Sequence, residues 1–110
     1  MQANEKILIT GGTGFIGKQL ISAAFECNIR ILSRYNQVGF DTVVCDFEKD
    51  SVPNNALDDI DTVFHLAGFT HDMRNSSKVN SLYRMVNVNS TVELAKLAVM
   101  SGVKKFVFVS

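Results

Sequence analysis

Proline occurs once, tryptophan not at all and cysteine only twice in this chain of 110 residues. With one proline and 46% apolar residues, the composition argues against intrinsic disorder and for a packed core. Cys27 and Cys45 are too thin a framework for a disulfide-stapled fold, and they show no CxxC or other metal spacing. They read as buried free thiols inside a predicted helix and a predicted strand. An excess of either charge is also lacking, since 11 Lys and Arg balance 11 Asp and Glu. Nucleic-acid and acidic-membrane partners call for a basic surplus, so both are disfavoured. No apolar run approaches a membrane span, and Met1 to Lys6 is polar with no signal-peptide core. A cytoplasmic location is expected. Repeats, low-complexity tracts and linkers are missing too. The length is that of one small domain, which leaves no room for a cofactor domain and a substrate domain together.

What is present is an alternation of two periodicities. Lys6 to Thr10 is a short apolar run of the kind a buried parallel strand shows. Phe15 to Cys27 switches to helical spacing, with Ile16, Leu20, Ala23, Ala24 and Cys27 expected on the core face. Ile29 to Ser33 and Thr42 to Cys45 read as strands two and three. A polar crossover from Phe47 to Asp61 contains Pro53 and a helical turn near Ala56 and Leu57. Thr62 to Ala67 reads as strand four. A long helix follows, clearest from Val88 to Ser101, with Val88, Val92, Ala95 and Val99 expected on its core face. Gly102 stands where a left-handed C-cap belongs, and Lys105 to Val109 is strand five. Strands alternating with helices specify a parallel α/β sheet, doubly wound, in the order 3-2-1-4-5. Ligands in such sheets sit beyond the carboxyl ends of the strands, where the order reverses between strands one and four.

The residues after strand one are Thr10-Gly11-Gly12-Thr13-Gly14-Phe15-Ile16-Gly17. Gly12, Gly14 and Gly17 make G-x-G-x-x-G, and Gly11 makes a G-x-x-G-x-x-G with the last two. A tight turn, close approach to a pyrophosphate and close helix–sheet packing each need a residue without Cβ. The helix that begins here aims free N–H groups at the phosphates. A glycine pattern alone is weak evidence, but one that follows a strand and opens an amphipathic helix points to dinucleotide binding.

Thr10 to Gly17, Asp46-Phe47 after strand three, His65-Leu66-Ala67-Gly68 at the end of strand four, Asn87 to Thr91 and Gly102 to Ser110 together resemble the extended short-chain dehydrogenases/reductases. The nearest branch is the NAD-dependent epimerase/dehydratase family that acts on sugar nucleotides. The resemblance covers nearly the whole chain and implies a Rossmann-like sheet. It also implies that Gly11, Gly14 and Gly17 cradle the pyrophosphate, that Asp46 and the Phe47 backbone meet the adenine edge, and that Leu66, Ala67 and Gly68 line the path to the nicotinamide ribose. Asn87 matches the asparagine of the family's N-V-x-G-T motif, which orders the active site. Ser90 stands where glycine is usual, which puts the local backbone packing in doubt. Without the other motifs, Asp46 reads as a strand-end turn residue and Asn87 as a helix cap.

An NAD site commonly has an acid at the end of strand two, about 20 residues past the glycines. Ser33 and then Arg34 stand there, a pair that tolerates a 2′-phosphate, so the cofactor reading is NAD or NADP with a lean to NADP. The alternative is that Arg34 is a solvated loop residue. His65 reads as core. His71, Asp72 and Arg74 lie at the expected active-site rim, where no third ligand supports a metal and a polar loop explains them as well. The resemblance implies a proton-donor tyrosine in Y-x-x-x-K, but Gly39 follows Tyr35 and Asn87 follows Tyr83 at that spacing. Ser110 falls one residue before the family's Ser/Thr. No catalytic residue is therefore assigned, and the chain alone is expected to be inactive, the cofactor part of an enzyme whose substrate is a nucleotide sugar. The alternatives are a stand-alone dinucleotide-binding or sensor module and a non-sugar reductase of the same superfamily. An exposed fifth strand is expected to favour self-association.

Overall fold

The computed structural model describes residues 3–12, 14–66 and 77–109, with 77–87 described as helical backbone only. The chain runs β1 (Lys6–Thr10), α1 (Phe15–Ala23), β2 (Asn28–Ser33), β3 (Asp41–Val44), a 3₁₀ turn (Asn54–Leu57), β4 (Thr62–Leu66), α2 (Ser77–Met100) and β5 (Lys105–Val109). All four strand pairings are parallel, and the order is β3-β2-β1-β4-β5 as the alternation of elements requires. Gly102, at φ +77°, ends α2 as expected.

Strand alternation divides the core in two. Leu8, Leu32 and Val63 face the side covered by the 3₁₀ turn and α2, where they pack with Ala56, Leu57, Leu94 and Ala98. Ile7, Ile9 and Leu66 face the side covered by α1, with Ala24, Leu20 and Ile21 against them. Among the described residues no buried side-chain nitrogen or oxygen lacks a hydrogen-bond partner. Arg30 on β2 donates from Nε to Asp41 at 2.9 Å and from Nη1 to the carbonyls of Asn55, Ala56 and Asp58 at 3.3, 3.0 and 3.1 Å. It thereby gives the Ala56 and Asp58 carbonyls a partner at the end of a short 3₁₀ turn and adds a second to the Asn55 carbonyl, which already accepts from Asp58 N.

His65 is the second polar group in that core. Its Nδ1 lies 2.6 Å from Thr10 Oγ1 on β1 and its Nε2 lies 2.9 Å from Thr91 Oγ1 on α2. Whichever nitrogen carries the proton, one threonine donates and the other accepts. The rings of Phe47, Phe106 and Phe108 surround it at 6.0, 6.2 and 5.5 Å. Burial among them pushes its pKa down to about 4, so the ring is neutral at physiological pH. The expectation that His65 is a core residue is met.

The α2 helix is rotated from its expected face, whereas of the face expected for α1 Leu20, Ala24 and Cys27 do reach the core and only Ile16 and Ala23 do not. In α1 the buried residue is Gly17, and Ile16 and Ala23 are exposed. Gly17 has to face the turn before it, which swings Leu20, Ile21 and Ala24 inward and Ile16 out. The helix also ends at Ala23, so Cys27 lies beyond it, and Cys45 lies one residue past β3. In α2, Val88, Val92 and Val99 are exposed, Ala95 is half-buried, and Ser90, Leu94 and Ala98 are buried. Small residues at 90 and 98 let the helix lie close to the sheet, and the Thr91–His65 hydrogen bond fixes its rotation.

Two outcomes follow from this packing. Leu94→Ala should cost about 2–5 kcal/mol in urea unfolding, whereas Val99→Ala should change stability by less than about 0.5 kcal/mol; the reverse order would mean that α2 presents the valine row to the sheet. An unfolded chain binds a proton at His65 near pH 6.5 and the folded one only near 4, so the unfolded state holds more protons between them. This contribution to stability is complete above about pH 6.5 and is lost as the pH falls toward 4. Between pH 7 and 4.5 the native chain should lose about 2 kcal/mol more than His65→Gln loses. Parallel stability–pH curves would show that His65 is not held neutral by the fold.

Candidate dinucleotide site

In a parallel sheet all carboxyl ends lie on one edge, and here that edge gathers the glycine turn after β1, Ser33 and Arg34 after β2, Asp46 and Phe47 after β3, and Leu66 at the end of β4. The glycines in the turn differ in what requires them. Gly11 has φ +70°, and a Cβ there would collide with the Leu66 carbonyl oxygen. It brings the β1 turn against the end of β4, at the point where the strand order reverses. Gly17 is forced by proximity, because a Cβ would stand 2.5 Å from Gly12 Cα and 2.7 Å from the Gly11 oxygen. Gly14 is required by neither constraint. Its φ is −78°, it is exposed, and the nearest atom to a Cβ would be the Gly11 oxygen at an ordinary 3.6 Å.

Gly14 is also the N-cap of α1, without a side-chain cap, and no acid stands in the first turn. The leading N–H groups of the helix therefore have no intrahelical acceptor, and the positive end of its dipole faces the space above Gly14. A pyrophosphate fits this arrangement: it needs close backbone approach and hydrogen-bond donors, and a Cβ at 14 would occupy part of its place. Phe15 and Ile16 flank it, both exposed. Thr13 lies outside the described residues.

At the end of β2, Ser33 is half-buried and Arg34 is exposed, with its guanidinium 5.7 Å from the Tyr35 ring centroid. The Gln37 carboxamide donates to Ser33 Oγ at 3.3 Å and to the Tyr35 carbonyl at 3.1 Å. Residues 34–40, which join β2 to β3, are fewer than the roughly dozen that a helical crossover needs. They leave a cavity of about 340 Å³ between themselves and α1, beside Gly12. The motif spacing does not mark Gln37 or Lys18, which both line this cavity. Lys18 carries a faint signal, since it follows Gly17 and stands one helical turn before the inward-facing Ile21.

After β3, Asp46 serves its own turn. Its Oδ1 accepts from Glu48 N at 2.9 Å, and its carbonyl accepts from Lys49 N and Asp50 N at 3.0 and 2.7 Å. Phe47 packs partly into the α2-side core and meets His65 edge-on. Burial, with Asp50, Glu93 and Asp46 adding to it, raises the Cys45 thiol to about 11, so Cys45 is an inert core thiol. Cys27 is half-buried, and neither cysteine is in a disulfide. Ser90, in the place usual for glycine, is buried within an unbroken stretch of α2. Asn87 lies on α2, with only its backbone described. Ala67, Gly68, His71, Asp72, Arg74 and Ser110 fall outside the described residues. Among the described residues no group of three or more His, Cys, Asp or Glu side chains is placed to hold a metal, and no helix is long and apolar enough to cross a membrane.

Residues 7–110 match the model of the NAD dependent epimerase/dehydratase family. A UDP-glucose 4-epimerase of Vibrio cholerae is 34% identical, over 96% of this chain and 34% of its own length. A 3-beta-hydroxysteroid dehydrogenase of Mycolicibacterium neoaurum is 30% identical, over 94% of this chain and 31% of its own. Among solved structures, MoeE5 in complex with UDP-glucose and NAD superposes with a TM-score of 0.77 at 28% identity, over 96% of this chain and 36% of that one. The chain thus spans about a third of the length of the proteins it matches. Sheet order, glycine turn and family match agree: this chain belongs to the NAD-dependent epimerase/dehydratase family.

Proposed function

We propose that these residues form the NAD(P)-binding part of an oxidoreductase that epimerises or dehydrates a nucleotide sugar. The observation that carries this reading is Gly14, whose missing side chain the protein's own packing does not require, at the uncapped start of α1. In this reading the first-turn N–H groups of α1 hold the pyrophosphate, with Gly11 and Gly17 fixing the turn that presents them. Ser33 and Arg34 take the adenosine ribose, and with no acid there a 2′-phosphate is tolerated, which favours NADP. Asp46 and Phe47 border the adenine. Leu66, Ala67 and Gly68 lead toward the nicotinamide ribose, and Asn87 orders the site from α2.

The bound dinucleotide would supply a hydride acceptor and donor for a sugar carbon. These residues bind and orient it, and none of them stands in the Y-x-x-x-K spacing of the proton donor. The 110 residues are accordingly expected to bind cofactor without turning over UDP-glucose. A second reading, a reductase of a steroid-like alcohol or ketone, is favoured by the 30% identity to the hydroxysteroid dehydrogenase. Both readings share the cofactor site and differ in substrate.

Calorimetric titration of the chain with NAD and with NADP tests the shared claim. Gly14→Val should weaken binding by more than about tenfold while leaving the melting temperature nearly unchanged. Gly17→Val should lower the melting temperature sharply, because its side chain meets backbone at 2.5 Å. A folded native chain that binds neither dinucleotide would refute the proposal, as would a Gly14→Val variant that binds as tightly as the native chain.

A further inference from the structure

The cavity beside the glycine turn has a chemistry that the pyrophosphate site does not use. Three apolar side chains wall it: Ile21 from α1, Ile31 from β2 and Phe40 from the β2–β3 connection. Gly12 also lines it, and the polar side chains in the lining are those of Lys18 and Gln37. Among the described residues Lys18 is the one charged residue in that lining, and no carboxylate accompanies it. The Lys18 backbone N–H donates to the Gly14 carbonyl at 3.0 Å, and among the described residues its ammonium has no hydrogen-bond or ion-pair partner. The space, about 340 Å³, is open to solvent on one side, so a charged group can enter it without losing all its hydration.

Its position identifies what that group is. Ile31 and Ser33 lie on the same face of β2, two residues apart, and Gln37 joins the cavity lining to Ser33 through its hydrogen bond to the hydroxyl. The recess therefore opens on the α1 side of the strand end where the adenosine ribose is placed by the reading above. We propose that this cavity receives the 2′-phosphate of NADP, with Lys18 as the cation that pairs with it and Gln37 holding Ser33 at the ribose edge. The inference rests on the dinucleotide reading and goes beyond it by making Lys18, on the helix, the residue that distinguishes NADP from NAD. Arg34, which is stacked toward Tyr35 and does not line the cavity, then contributes from outside. A compact ammonium suits a phosphate approached as a point charge, without the fork geometry that a guanidinium imposes.

The test is calorimetric titration of the 110-residue chain with NAD and NADP, and with 2′,5′-ADP against 5′-ADP as probes that lack the nicotinamide half. The native chain should bind NADP more tightly than NAD. Lys18→Met should weaken NADP and 2′,5′-ADP by about tenfold or more and leave NAD and 5′-ADP within about twofold. Lys18→Arg should keep most of the NADP preference. Lys18 is exposed, and a thermal melt should show each variant folded. Equal loss for NAD and NADP would place Lys18 at the pyrophosphate and overturn the inference, and so would no change for either. Failure of the folded native chain to bind any of the four probes would instead overturn the dinucleotide reading itself.

Discussion

Backbone pressed on backbone at the start of α1 governs both the site and the way the helix packs. Gly17 lies so near the Gly11–Gly12 segment that any side chain would overlap main-chain atoms, which cannot move aside as a flexible side chain can. That contact sets the rotation of α1, which decides that Leu20, Ile21 and Ala24 enter the core and that Ile16 does not. It also sets where the first-turn N–H groups point. Fold and binding surface are consequences of one steric constraint, and a change at Gly17 disturbs both. Gly14, three residues earlier at the N-cap, carries only the second role.

The two sides of the sheet are covered unequally, and the difference comes from crossover length. Residues 45–61 are long enough to place a 3₁₀ turn over β2, and Arg30 binds two of its carbonyls and that of the next residue, Asp58, to the sheet. Val52 N is held by Glu93 Oε1 on α2 at 2.8 Å, which closes the same side further. Residues 34–40 are too few to build a helix, so the α1 side of β2 and β3 is covered by α1 and a strap alone. Val44 is left 55% exposed there. Between helix and strap remains the recess that Lys18 and Gln37 line. A short connection thus creates a cavity at the strand end where cofactor chemistry is concentrated in sheets of this order.

The strands, their order and the glycine turn were legible in the sequence because each rests on a local pattern. Apolar runs of strand length, bounded by turn residues, need no knowledge of tertiary contacts. The helix faces were not legible in the same way. In α2 two rows compete, the valines at 88, 92 and 99 and the mixed row of Ser90, Leu94 and Ala98. Hydrophobicity favours the first row, yet the second is buried, because small side chains permit close approach and one leucine fills the remaining gap. Periodicity finds a row without telling which of two the sheet will accept. Arg30 and Gln37 were invisible for a related reason: their partners lie across loops, and a polar residue in a strand or connection gives no signal until those partners are in place. At the site itself, the glycines and Ser33 could be read from spacing, while the cavity between them exists only once α1 and residues 34–40 are brought together.

His65 explains why motifs far apart in the chain occur together. Thr10 is the last residue of β1 and immediately precedes Gly11, while Thr91 ends the Asn87–Thr91 segment of α2. The imidazole of β4 is hydrogen-bonded to both, so three segments singled out for their sequence meet at one buried ring. Each ring nitrogen has a partner, and the neutral state keeps one as donor and the other as acceptor. Protonation would turn both into donors in an apolar surround of phenylalanines, at the cost that depresses the pKa. Because Thr10 leads directly into the glycine turn, the position of that turn relative to α2 passes through this ring. The residues that resemble cofactor and active-site motifs are therefore joined inside the core, and the geometry of the surface they present is set by a histidine that does not reach it.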